Sequence, residues 1–278
     1  PDPTNPDIVW SSASGSGSLG GIVTRYNEKT NQYRQLEVWP EYASGSYASL
    51  LKYRFQWTFP LLISPHDNKT IYVTSQHVHK TTNDGQSWEV ISPDLTMNDK
   101  EMQGFSGGLT GDNIAVEYAN VIYAFEESPV QKGVLWAGTN DGLVHVSQDN
   151  GKTWKNVTKN IPKLPKLGVV RNIDASKWNP AKAYLTIEFH QVGNFKPYVY
   201  KTENFGKSWE KITNGIAPGN LSYTRNIKED PVREGLLYLG TENALYFSND
   251  DGNNWQSLMT NLPHTPMYWI DVQEHFND

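Results

Sequence analysis

The 278-residue chain has a net charge of −6 with only 19% charged residues, so it lacks the basic excess that suits a nucleic-acid partner. It has no cluster of Lys and Arg that suggests a membrane surface, and no apolar run approaches the roughly 18 residues of a membrane span. The absence of cysteine excludes disulfides, thiolate metal sites and a cysteine nucleophile.

Short strands dominate the predicted secondary structure. Runs of about four to six residues, rich in β-branched and aromatic side chains, alternate with clusters of Gly, Pro, Asn and Asp. No stretch keeps a sustained 3.6-residue apolar period, so we expect few helices. In chain order the strands group into repeat units at about 1–58, 59–118, 119–170, 171–224 and 225–265, followed by 266–278.

Each complete unit contains four predicted strands, which is typical of a β-propeller blade. The unit 1–58 keeps the strand pattern but lacks the turn signature of the others, and 266–278 matches the first strand of a further unit. That last strand either completes the opening blade of a five-bladed ring or begins another blade of a longer propeller. We favour a segment of a longer propeller. The predicted fold class is all-β, a single propeller domain or segment built from four-stranded antiparallel blades.

The stretch "SQDNGKTW" (147–154) recurs with the same spacing in four units. An Asx side chain can accept backbone N–H bonds across a tight turn, Gly supplies a left-handed backbone, and Trp can bury a large apolar surface between blades. The sequence therefore predicts structural turns, not catalytic acids. The residues concerned are Asn83, Gly85 and Trp88; Asp149, Gly151 and Trp154; Asn204, Gly206 and Trp209; and Asp250, Gly252 and Trp255.

These turns, with stretches such as "VLWAGTNDGLVHVSQDNGKTW" and "LLYLGTENALYFSNDDGNNW", resemble those of bacterial Asp-box (BNR) repeat propellers, which are labelled glycosyl hydrolase or sortilin-type proteins. The resemblance implies a secreted, periplasmic or cell-surface protein whose functional face lies opposite the Asp-box turns. Family members continue beyond the point where this chain ends. The sialidase set is incomplete, because the chain has six arginines and no Phe-Arg-Ile-Pro signature. We expect no cofactor.

Candidate ligand-binding residues come from aligning the innermost strands on their closing turns. This alignment predicts one equivalent position for Phe59, Tyr123, Arg171, Arg225 and Trp269. Arginines and aromatic rings around a rim could bind a carboxylate, a sugar ring or a peptide end. Alternatively, they stack on one another or pair with Asp174, Glu188 and Asp230. Arg54 and Trp57, just before the first complete inner strand, are similar candidates.

Four insertions are predicted on the upper face, at Ser11–Gly21, Glu41–Trp57, Met97–Asn113 and His190–Pro197. Long loops on a regular scaffold are often functional. His77 and His79 share one face of a strand and would need a third ligand to hold a metal. Several carboxylates are available to a glycosidase, but their spacing distinguishes no catalytic pair: Glu117, Glu126, Glu188 and Glu242.

The sequence favours a non-catalytic binding or scaffold module that recognises a glycan or an extended peptide. A glycoside hydrolase or lyase acting on a polysaccharide is the alternative. A third possibility is a subunit of a larger complex, as in the photosystem II assembly factors that share these repeats.

Overall fold

The computed structural model describes residues 1–13, 21–114 and 116–273, and its regular structure is almost entirely β. Nineteen strands in this part of the chain form five antiparallel sheets. Its helical segments are four short 3-10 turns: Ala48–Leu50, Lys100–Gln103, Thr158–Asn160 and His190–Val192. The prediction of an all-β chain is confirmed.

Each sheet is a meander of consecutive strands. Blade 1 has three strands: β1 (Ile8–Ser12), β2 (Ile22–Asn27) and β3 (Gln32–Glu37). Blade 2 contains β4 (Leu61–Ile63), β5 (Ile71–Thr74), β6 (Val78–Thr81) and β7 (Glu89–Val90). Blade 3 contains β8 (Ile122–Glu127), β9 (Leu135–Thr139), β10 (Val144–Ser147) and β11 (Lys155–Asn156). Blade 4 contains β12 (Val169–Ala175), β13 (Ala183–Glu188), β14 (Val199–Thr202) and β15 (Glu210–Lys211). Blade 5 contains β16 (Thr224–Glu229), β17 (Leu237–Thr241), β18 (Leu245–Ser248) and β19 (Gln256–Ser257).

Successive blades pack against each other through apolar side chains. Trp136 of blade 3 is fully buried in a cluster that includes Val170 and Leu185 of blade 4. A similar cluster joins Tyr184 of blade 4 to Leu239 of blade 5. Both faces of the middle blades are covered, so β9 and β13 are buried along their whole length instead of alternating.

The innermost strands of blades 3, 4 and 5 each contain an irregularity at the same place. The register skips one residue between Ile122 and Ala124, between Val170 and Asn172, and between Thr224 and Asn226. The skipped residues are Tyr123, Arg171 and Arg225. Because a β-bulge leaves its extra residue outside the ladder and re-aims its side chain, these three positions are structurally equivalent, as the alignment predicted.

Residues 266–273 form no strand. They nevertheless contact blade 5 in the same way as β16, the inner strand of blade 5, contacts blade 4. The side-chain oxygen of Asn172 accepts a hydrogen bond from the backbone N–H of Ile227 (2.9 Å), and that of Asn226 accepts one from Ile270 (3.2 Å). Ile270 is therefore the counterpart of Ile227. That this segment begins a further blade remains a prediction.

Candidate functional site

The four Asx-Gly-Trp turns share one hydrogen-bond pattern. In the third blade, Ser147 Oγ donates to Asp149 Oδ1 (2.9 Å), which also accepts the backbone N–H of Thr153 (2.9 Å). Gly151 N–H donates to Ser147 Oγ (2.9 Å). The bond from the Thr153 hydroxyl leads the interactions that lower the pKa of Asp149. The same bonds recur around Asn83, Asn204 and Asp250.

These turns also contact the preceding blade. Trp154 Nε1 donates to the carbonyl of Ile91 (2.9 Å), and Trp255 Nε1 donates to that of Ile212 (2.9 Å). A Cβ on Gly151 would meet Ile91 at 2.8 Å, so only glycine fits this close approach. The turns lie beside the connections between the first and second strands, where Asn150 N–H bonds to Gly133. They are therefore at the opposite end of the sheets from the loop that follows β9.

Two adjoining cavities lie along the inner strands. The upper cavity, of about 500 Å³, is lined by Trp57, Met102, Glu117, Asn140, Asp141 and Gln191 among others. The lower cavity, of about 480 Å³, is lined by inner-strand residues that include Leu62, Glu126, Ile173, Asn226 and Trp269. Tyr123 and Arg171 line both cavities. The bulged position of blades 3 and 4 thus lies where the two cavities meet.

Arg171 is the least neutralised of the arginines in this funnel. Its Nη1 donates to the Tyr123 hydroxyl, and the carboxylate of Glu188 lies 4.0 Å away. Among the described residues no other group accepts a hydrogen bond from Arg171, although a guanidinium carries five donors. Its charge also lies 5.0 Å from the Tyr123 ring centroid.

Arg225, in contrast, is held by two acids. Its guanidinium bonds to Glu188 through Nη1 and to Glu242 through Nε (2.7 Å) and Nη2 (2.6 Å). The rings of Tyr223 and Tyr268 cover it at 4.7 Å each. Arg225 is only 6% exposed. The alternative foreseen for this residue, pairing with nearby acids, is therefore the arrangement observed.

Two other candidates are buried in the protein interior. Arg54 is 3% exposed and donates to the carbonyl of Asn120 (3.0 Å) and to Asp94 (3.0 Å). Phe59 is 2% exposed and packs on Phe55 with ring centroids 5.0 Å apart. The contacts of Arg54 are thus made within the fold, whereas Phe59 also lines the lower cavity.

The two tryptophan candidates are accessible. Trp57 is 43% exposed at the upper cavity, where its Nε1 donates to Glu117 (3.0 Å). Trp269 is 77% exposed beside the lower cavity. Its predicted equivalence to Arg171 and Arg225 is wrong by one residue. Because Ile270 is the counterpart of Ile227, the residue equivalent to Arg225 is Tyr268.

Sequence reasoning missed Tyr268, and of the two acids that pair with Arg225 it named Glu188 as a partner but not Glu242. The available signal for Tyr268 was the isoleucine two residues later, because Ile270 follows Tyr268 as Ile227 follows Arg225. The contact of Glu242 with Arg225 had no such signal in the sequence.

The predicted insertions contribute unequally to the funnel. Trp57 of the aromatic insertion, Met102 of the Gly-rich one and Gln191 of the third line the upper cavity. The Ser11–Gly21 insertion lies mainly in residues 14–20, outside the described residues.

The histidine pair has hydrogen-bonding partners within the protein. His79 Nε2 bonds to Ser75 Oγ (2.8 Å), and His77 Nδ1 bonds to the carbonyl of Ser92 (3.1 Å). Across the described ranges, no three His, Cys, Asp or Glu side chains come together as a group that could hold a metal ion. In the same residues no helix is long and apolar enough to cross a membrane.

The five stacked sheets define a β-propeller fold, and comparisons with known proteins agree. The chain is similar to a GH74 xyloglucanase from Xanthomonas campestris (TM-score 0.65, 17% identity, covering 94% of this chain and 38% of that one). It is also similar to an ancestral GH74 enzyme (TM-score 0.54, 17% identity, covering 76% and 25%). At these identities the likeness shows the fold alone. The predicted propeller is confirmed.

At the level of sequence, residues 142–276 match the family model Sortilin-Vps10, described as "Sortilin, neurotensin receptor 3". A curated relative, "Vacuolar protein sorting/targeting protein 10" of Laccaria bicolor, is 28% identical over 111 residues, which are 40% of this chain and 7% of that protein. The chain therefore spans a small part of the curated relative and under two fifths of the xyloglucanase. This match supports the resemblance to sortilin-type proteins for the second half of the chain.

Proposed function

We propose that this chain is a non-catalytic binding module of a secreted or cell-envelope protein. Its ligand is an extended peptide or a glycan that carries a carboxylate, and the binding site is the funnel opposite the Asx-Gly-Trp turns. One observation carries the proposal: Arg171 lies between two cavities with most of its donors unused among the described residues. A carboxylate can accept two parallel bonds from such a guanidinium.

Aromatic side chains support this function. The Tyr123 hydroxyl anchors Arg171, and Trp57 and Trp269 offer exposed rings at the upper and lower cavities. Exposed tryptophan rings are suited to contact with a sugar face or an apolar peptide side chain. The sortilin-type similarity of residues 142–276 also favours a ligand-binding role.

The glycoside hydrolase alternative has less support in the site. Glu188 and Glu242 are both engaged with Arg225, and Glu117 accepts a bond from Trp57. These contacts give a structural task to Glu188, Glu242 and Glu117, and leave Glu126 as the only one of the four candidate acids without such a contact among the described residues. A polysaccharide digest that released new reducing ends would favour the hydrolase over the binding module.

A protein partner at the upper loops is a second candidate, because one loop there exposes several large apolar side chains. Met97 and Met102 are each 44% exposed, and Phe105 is 60% exposed. Apolar clusters on a surface often mark interaction sites. A protein partner at this loop would fit the third possibility raised by the sequence, a subunit of a larger complex.

The test of the proposed function is a fluorescence titration that uses the exposed tryptophans as reporters. The probes are peptides with free or amidated carboxyl termini and oligosaccharides with or without uronic acids. Arg171→Gln is expected to weaken binding of the carboxylate probes about tenfold or more, since bonds to charged groups are the stronger ones. The matched control is Arg233→Gln, because Arg233 is an exposed arginine of blade 5. Equal binding by wild type and Arg171→Gln contradicts the proposal.

A further inference from the structure

Glu126 is an acid at the wall of the lower cavity for which the proposed function has no role. It lies on β8, three residues after Tyr123, and lines the same cavity as Arg171. None of the described residues donates a hydrogen bond to its carboxylate or forms an ion pair with it. This distinguishes it from its counterpart on β12, Asp174, which bonds to Lys228 Nζ (2.7 Å) and to the backbone N–H of Glu229 (2.6 Å).

A carboxylate without a partner at a half-buried cavity wall is costly, because desolvation disfavours its charged form. Burial raises the pKa of Glu126 to about 8. Three charged groups face Glu126. Lys228 of β16 lowers its pKa, whereas Asp174 of β12 and Glu127, the next residue on β8, raise it. The Lys228 ammonium is bonded to Asp174 and forms no ion pair with Glu126.

We propose that Glu126 is an anionic subsite of the lower cavity that takes the basic side chain of a peptide. The inference rests on the proposed function: the carboxylate of the same peptide lies at Arg171. The ligand class is thereby narrowed to an extended peptide with one carboxylate and one ammonium or guanidinium group. The cation supplies the partner that Glu126 lacks.

The lower cavity has the shape and walls for such a side chain. Its volume of about 480 Å³ falls in the range of small-ligand pockets. Leu62 and Ile173 line it, and apolar walls suit the aliphatic stem of Lys or Arg while its charged end reaches a polar group. Arg171 and Glu126 then hold opposite charges of one ligand within a single cavity.

Proton release accompanies binding in this arrangement. A cation beside Glu126 favours the ionised carboxylate, so the proton leaves the side chain as the ligand binds. Between about pH 5 and pH 8, calorimetry in buffers of different ionisation enthalpy is expected to detect up to one proton released for each peptide bound. Above about pH 9 the release disappears, because Glu126 is ionised before binding.

The experiment uses the full chain and acetylated heptapeptides of Ser and Ala with a free carboxyl terminus. A single lysine, or its uncharged analogue norleucine, is placed in turn at each of the last four positions. In the wild type we expect the lysine peptide of the best register to bind at least tenfold more tightly than its norleucine counterpart. Glu126→Gln is expected to remove that preference and the proton release, and to leave norleucine peptides unaffected.

Glu234→Gln is the matched control, since Glu234 is exposed on blade 5. A lysine preference that survives in Glu126→Gln, or that is absent from the wild type, overturns the inference. If Arg171→Gln still weakens binding in that case, the proposed function stands without the Glu126 subsite. Failure of every peptide to bind the wild type overturns the inference and counts against the peptide form of the proposed function.

Discussion

Lys182 of blade 4 and Asp251 of blade 5 form an ion pair of 2.9 Å between Nζ and Oδ1. Lys201 Nζ reaches the other carboxylate oxygen at 2.9 Å, and the Tyr184 hydroxyl donates to Oδ1. The lysine side chains are only 6% and 9% exposed. One acid therefore pairs with two nearly buried cations and joins the Asx-Gly-Trp turn of blade 5 to blade 4.

Replacement of Asp251 by asparagine is expected to lower the free energy of unfolding by about 2 to 4 kcal/mol. Breaking a buried pair leaves uncompensated charge, and the partial exposure of Asp251 moderates the cost. Urea denaturation at pH 7 measures the change. Asp84→Asn is the control, because Asp84 precedes the glycine of its own turn but lies 4.0 Å from Arg25 and is 56% exposed. A loss for Asp251→Asn no larger than that for Asp84→Asn would contradict the structural role.

Gly151 is expected to be far less tolerant of alanine than Gly45. Both have positive φ, at +84° and +81°, so backbone strain is common to the two. A Cβ at Gly151 would lie 2.8 Å from the carbonyl oxygen of Ile91, whereas at Gly45 it meets nothing within 4 Å. We expect Gly45→Ala to cost about 1 kcal/mol and Gly151→Ala a further 1 to 3 kcal/mol from overpacking. Thermal unfolding of the two variants tests the difference, and equal losses would contradict it.

His79 is expected to make the fold sensitive to acid. Burial, with smaller contributions from His77 and Lys52, lowers the pKa of His79 to about 3. Below about pH 6.5 this histidine is protonated in the unfolded chain but stays neutral in the folded chain. The free energy of unfolding therefore falls as the pH drops from about 6.5 toward 3, by about 1.4 kcal/mol per pH unit.

Replacement of His79 by a residue that does not titrate should weaken the dependence of stability on pH. His79→Gln keeps a hydrogen-bonding group near Ser75 and is expected to lose less stability than the wild type between pH 7 and pH 5. His264→Gln, at an exposed histidine, should behave as the wild type. Parallel curves for His79→Gln and the wild type would exclude this role of His79.

Glu126 is expected to lower the stability of the fold as the pH rises, which is opposite to the effect of His79. Its pKa in the folded chain, about 8, lies above the ordinary value of 4.5, so the folded state holds a proton that the unfolded state releases in this range. Stability from this group is therefore present at low pH and is lost as the pH rises from about 4.5 to about 8. Glu126→Gln should be more stable than the wild type at pH 8.5, and the gap should shrink by pH 4.5. Denaturation curves at the two pH values measure it, and a gap that grows on acidification would contradict the assignment.

Much of the fold could be predicted because its signals are local. The Asx side chain of each repeated turn bonds within about eight residues, as the bonds of Asp149 to Ser147 and Thr153 show. The short alternating strands likewise indicated antiparallel blades. Tyr123, Arg171 and Arg225 were aligned from the sequence alone, by placing the closing turns of their inner strands in register.

The chemistry of the candidate site depends on contacts between blades, and the sequence pattern does not show these contacts. Arg225 and Arg171 look alike in the sequence, but Glu188 and Glu242 neutralise the first and leave the second with free donors. Asp174 and Glu126 occupy equivalent strand positions, yet Lys228 pairs with only one of them.

By itself, the sequence determined the repeated turns and the strand order, because both arise from backbone preferences over a few residues. Only the tertiary structure decided which charges are compensated and which face a cavity. Electrostatic energy depends on distance and burial in space, and the packing of neighbouring blades sets both.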